Sequence, residues 1–122
     1  MPPRRRDPEQ VRAAVHAVLG ALDAGVVPAR PDLAMAVRGL ADRLAERAPG
    51  QHVEVRVPPF TAVQCIAGPR HTRGTPPNVV EADPVAFVEL CAGRLAWGEA
   101  VGDGRVRTWG DRADLSPWLP VN

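Results

Sequence analysis

The feature that most constrains this chain is a change of apolar period at Gln51. Before it, Val11, Ala14, Val15, Val18, Leu19 and Leu22 recur at three- and four-residue intervals, and Leu33, Val37, Leu40 and Leu44 do so again. Such spacing puts an apolar stripe along one side of a helix, and that stripe must be buried against something. After Gln51, Val53, Val55 and Val57 alternate with Glu54 and Arg56, the pattern of a strand with one buried face. A helical first third therefore precedes a mixed remainder, and 122 residues suit a single core.

Local signals set the expected boundaries. Asp7 can cap a first helix, Pro8 suits its first position, Gln10 completes a capping box, and the helix should end near Gly25. Pro31 or Asp32 opens a second helix, which Pro49 and Gly50 stop. Its other face, with Arg38, Asp42, Arg43, Glu46 and Arg47, reads as solvated. Pro58 and Pro59 close the first strand, and their fixed negative φ excludes a two-residue primed turn. Residues 61–67 are apolar on both faces and read as a central strand, and 78–82 as a short third strand. Asp83 and Pro84 start a largely apolar helix that Gly93 ends; a short helix at 97–101, a strand at 105–109 and the closing segment ADLSPWL follow.

Composition narrows the function classes. Apolar residues make up 45% and charged residues 24%, which is globular rather than disordered. A net charge of +1 gives no general attraction to nucleic acid or anionic membrane. All 15 basic residues are arginine, a usage that fits a GC-rich coding sequence more than guanidinium chemistry. Arg4, Arg5 and Arg6 follow two prolines, so residues 1–6 read as a mobile basic tail ahead of one domain, 7–122. Asp7, Glu9 and His16 interrupt any signal-peptide pattern, and no apolar run is long enough to span a bilayer, so a cytoplasmic protein without membrane insertion is expected.

Catalytic constellations are not legible. Ser116 is the single serine and lacks a nucleophile-elbow context, and no phosphate-binding glycine motif is present. His16, His52 and His71 are far apart and form no metal-binding spacing, so neither a metal nor another cofactor is expected. Cys65 and Cys91 lie in apolar runs and read as reduced packing residues rather than nucleophiles paired with His71. Strand alternation and a helix cap account for Glu81 and Asp83. The chain reads as a binding protein rather than an enzyme.

From residue 51 onward the order of elements resembles a known family. EADPVAFVELCAGRLAWGEAVGDGRVRTWGDRADLSPWL, with its apolar helix ending in AGRL, a glycine-bounded strand and a brief closing helix, resembles the C-terminal half of sterol carrier protein domains. HVEVRVPPFTAVQCIAGP and HTRGTPPNVVEADP resemble a small bacterial branch of that superfamily found in actinobacteria. The resemblance covers residues 51–121 and extends toward the N-terminal helices. It implies an α+β fold in which a mostly antiparallel sheet of four to five strands is covered by helices. It also implies an apolar cavity between sheet and helices for a lipid, acyl chain or sterol-like molecule. Burying such a ligand yields about 25 cal/mol per Å² and needs no catalytic side chain. Val55, Phe87, Leu90 and Trp97 are the candidate wall.

The passage RHTRGTPPN supplies the candidate polar rim. In an extended segment His71 and Arg73 project to one side with Thr75 next along, and with Asn78 they could hold the carboxylate or phosphate of an acidic amphiphile. Turn residues explain the same passage as a plain connection. The alternative function is an accessory domain, without a lipid ligand, in which a sheet edge or Trp109 and Trp118 dock a partner or a second copy as a homodimer.

Overall fold

A computed structural model describes residues 6–68 and 78–121 of the chain. Helix α1 spans Pro8–Asp23 and α2 spans Arg30–Arg47; strands β1, Val53–Val57, and β2, Thr61–Cys65, follow. Strand β3, Asn78–Ala82, then leads into α3, Pro84–Cys91, α4, Trp97–Gly102, strand β4, Val106–Trp109, and a final 3₁₀ turn at Ser116–Trp118. The fold is α+β, as expected. Apart from Arg6, the expected basic tail lies outside the described residues.

The start of α1 follows its local sequence. The Asp7 carboxylate accepts from the Glu9 N–H at 3.0 Å, satisfying one of the donors that a helix N-terminus leaves over. At the other end Gly25 takes a φ of +69°. Its N–H donates to the Leu22 carbonyl and the Val26 N–H to the Ala21 carbonyl, the paired bonds of a Schellman stop. Asp83 differs from expectation. It occupies the N-cap of α3, but its side chain makes no capping bond. The carboxylate instead accepts from Arg107 at 3.2 Å, and Glu81 accepts from the same guanidinium at 3.2 Å.

The four-stranded sheet has the order β2-β1-β3-β4. It is mixed: β1 pairs antiparallel with β2 and parallel with β3, and β3 pairs antiparallel with β4. Val53, Val55 and Val57 are fully buried on the helix-covered face. Burying a side chain of this kind contributes about 1.5–3 kcal/mol. Glu54, Arg56, Glu81 and Arg107 occupy the opposite, partly exposed face. Strand β2 is an edge strand, not the central one expected, and ends at Cys65. Its apolar character has two separate causes. Val63 and Cys65 face inward beside β1, where α2 packs over the strand, while Ala62 is merely a small exposed residue.

The helices form the second layer. Val11, Ala14 and Val18 of α1 are buried, and α1 packs on α2. A β-carbon on Gly39 would lie 2.4 Å from a Val11 methyl, so the crossing needs glycine in the middle of α2. The α2 face expected to be solvated is only partly so. Asp42 pairs with Arg6 at 2.6 Å, and Arg38 donates to the Phe60 carbonyl at 3.3 Å while lying over that ring. Arg47 donates to the Pro120 carbonyl at 2.8 Å.

Candidate ligand-binding site

The stripe on α1 is wider than its contact with α2 requires. Val11, Ala14 and Val18 are buried, but Val15 and Leu19, one step round the helix, remain half-buried. They face an open recess of about 740 Å³. Its apolar floor comes from Val15 and Leu19 of α1, Leu40 of α2, and Ala92 and Val121. The volume is within the range of about 300–1,000 Å³ typical of small-molecule sites.

Three bonds tie together the elements that carry its lining residues. The Val121 N–H donates to the Cys91 carbonyl at 2.9 Å, holding the C-terminal segment against the end of α3. Arg47 fixes the same segment through Pro120. Arg94, just beyond α3, pairs with Asp23 at the end of α1 at 2.7 Å. A chain-local signal for the site exists in the over-wide stripe of α1. Arg43 and Val121 have no such signal, because only the fold brings them beside it.

The residues at its edge are basic. Arg12 and His16 stand one helical turn apart on α1, and Arg43 reaches the recess from α2. No acidic side chain lines it among the described residues.

Of the four wall residues suggested by sequence, Val55 and Phe87 are packed inside the main core, with at most 1% of their surface exposed. Leu90 and Trp97 do meet, at a shallow second recess of about 240 Å³ shared with Leu95, Leu119 and Pro120. Between sheet and helices, Val55, Val57, Val80 and Val88 have no accessible surface, so no water-sized space adjoins them.

Asn78 is buried at the foot of the long loop. Its amide nitrogen lies 3.2 Å from His52 Nε2 and donates to the His52 carbonyl at 3.2 Å, while its Oδ1 accepts from the Arg112 N–H at 2.9 Å. His71, Arg73 and Thr75 lie outside the described residues. Cys65 and Asn78 both pair with Val53, so the connection 66–77 leaves and re-enters at one end of the sheet. Two strand spacings are about 10 Å, whereas twelve extended residues reach about 40 Å. The connection is far longer than its span requires.

Neither cysteine is poised for nucleophilic chemistry. Burial pushes the Cys65 thiol up to about 11 and that of Cys91 to about 12. Among the described residues no three His, Cys, Asp or Glu side chains converge as metal ligands would. No helix among them is long and apolar enough to cross a membrane.

Comparison with protein families matches residues 29–121 to the family described as bacterial SCP ortholog, from the start of α2 through the C-terminal segment. Helix α1 precedes the matched stretch. Comparison with curated proteins returns no match.

Proposed function

The chain belongs to the bacterial SCP ortholog family, and from that premise we propose that it is a non-catalytic carrier of an apolar or amphipathic small molecule, held in the recess between α1, α2 and the C-terminal segment. The observation that carries this reading is the combination in one recess of an apolar floor, from Val15, Leu19, Leu40 and Val121, with a basic edge. An acyl or sterol-like body on that floor gains from leaving water, and a polar end can remain at the edge. The interior site with Val55, Phe87, Leu90 and Trp97 as wall and His71, Arg73, Thr75 and Asn78 as rim is the alternative location. It would require sheet and helices to part, whereas the α1 recess is already open.

Native mass spectrometry of protein purified without detergent tests the reading. The parent chain should retain a bound lipid or take up an added one. Ala13→Trp places a large ring in the recess from an exposed position and should abolish this without loss of stability. Undiminished uptake by Ala13→Trp would move the site elsewhere.

A second reading, a docking module, is favoured by one observation: Trp109 on the edge strand β4 is 53% exposed. Trp118, its expected companion, is half-buried against the core.

A further inference from the structure

Eleven arginines fall within the described residues, and nearly all of their guanidinium groups have a protein partner. Arg6, Arg56, Arg94, Arg105 and Arg107 pair with carboxylates, Arg38 and Arg47 donate to backbone carbonyls, and Arg30 lies 5.2 Å from the centre of the Phe60 ring. The exceptions are Arg12, Arg43 and Arg112. Two of these three line the same recess, with His16 beside them and no carboxylate among its lining residues. Apart from Arg112, each arginine elsewhere among the described residues has a carboxylate, a carbonyl or an aromatic ring as partner; here two guanidinium groups border an apolar floor.

Resting on the carrier reading, we propose that Arg12 and Arg43 are head-group residues that select an acidic amphiphile, one with a carboxylate or phosphate at the end of an apolar body. The guanidinium group is a forked donor suited to both anions and stays charged at any working pH. Arg43 is half-buried, so its attraction is less screened by water than that of a fully exposed cation. His16 adds a ring nitrogen that can share the anion. The apolar floor holds the chain of the same molecule, so neither part of the recess is unused.

This assigns a role to α1. The family match begins at residue 29, yet Arg12, His16, Val15 and Leu19 all lie on the helix before it. Helix α1 would thus supply much of the head-group selectivity, added to a core that the family match covers. Val11 seated on Gly39 fixes its position.

Titration calorimetry with dodecanoate and uncharged dodecyl maltoside, each below its micellar concentration, and with acetate, tests the assignment on the full chain. The parent should bind dodecanoate more tightly than dodecyl maltoside and should not bind acetate measurably. Combining Arg12→Ala with Arg43→Met, which keeps an apolar stem in place of the half-buried arginine, should weaken dodecanoate about tenfold. The variant should leave dodecyl maltoside within about twofold of the parent. Arg12→Ala alone, at an exposed position, should show part of the same loss and guards against misfolding of the double variant. Equal losses for both amphiphiles, or no loss for either, would overturn the head-group assignment and leave the carrier reading standing. Binding of neither amphiphile by the parent would overturn both.

Discussion

Val11 of α1 sits directly over Gly39 of α2, its methyl groups filling the space that a β-carbon at residue 39 would need. Two effects oppose each other when Gly39 is changed to alanine. Helix propensity favours alanine by about 1 kcal/mol in an exposed helix interior. Overpacking against the short, stiff Val11 side chain costs about 1–3 kcal/mol. We expect the clash to win, with Gly39→Ala destabilising by about 1 kcal/mol in chemical denaturation. Adding Val11→Ala should make the Gly39→Ala step neutral or favourable. A stabilising single Gly39→Ala variant would show that α1 does not pack here.

Asn78 gives a test of whether the foot of the long loop is scaffold or ligand rim. Its side chain bonds to His52 and to the Arg112 N–H, and it is 4% exposed. Asn78→Ala leaves those groups without their partner and should cost about 1–3 kcal/mol in the absence of any ligand. Asn78→Asp keeps an acceptor for Arg112 but loses both donor contacts to His52, and should also be destabilising. Unchanged melting temperatures for both variants, with weakened amphiphile binding, would instead give Asn78 the rim role.

These cases mark what was legible in the sequence. The caps at Asp7 and Gly25 and the alternation of Val53, Val55 and Val57 carry local chemistry, so those elements could be read directly. Strand direction leaves no such trace: alternation is the same in parallel and antiparallel pairs, so nothing in the sequence marks the parallel β1-β3 pairing. The edge position of β2 is hidden because helix α2, packed over its inner face, buries Cys65 and half-buries Val63, so the strand needs apolar residues without a second neighbouring strand. Gly39 carried no signal by itself, since a helix-interior glycine reveals its purpose only when Val11 is placed against it. Arg43 reads as a surface charge because helical periodicity puts it at the flank of the Leu40 and Leu44 stripe, beside the solvated face. Only the packing of α1 creates the recess it faces.

The buried thiols predict both a reactivity and a pH response. At pH 8 Cys65 and Cys91 should react with a thiol reagent only after unfolding, because burial holds them at about 11 and about 12. The sign of the linkage follows from these raised values. The folded chain binds the thiol protons more tightly than the unfolded one, so this contribution is fully present below about pH 9. It is lost as pH rises through 11 and 12. Denaturation midpoints followed from pH 8 to pH 11 should fall, and Cys91→Ala should flatten the fall while lowering stability at pH 8 by creating a small cavity. Rapid labelling of the native protein would contradict this.

Trp109 separates the carrier from the docking module. Its side chain is largely exposed on an edge strand, so Trp109→Ser should change stability by no more than about 0.5 kcal/mol. If the carrier reading is right, sedimentation should show the same mass for parent and variant, and amphiphile binding should be the same for both. An association present in the parent and lost in Trp109→Ser would establish β4 as an interface.

The location of the ligand is the central claim, and an NMR titration tests it most directly. Amide shifts of the full chain would be followed as dodecanoate is added below its micellar concentration. The account predicts the largest changes at Arg12, Val15, His16 and Leu19 of α1, Leu40 and Arg43 of α2, and Ala92 and Val121, with the amides of Val55 and Val80 little affected. Changes centred instead on β1, β3 and Phe87, with α1 unmoved, would contradict it and put the ligand between sheet and helices.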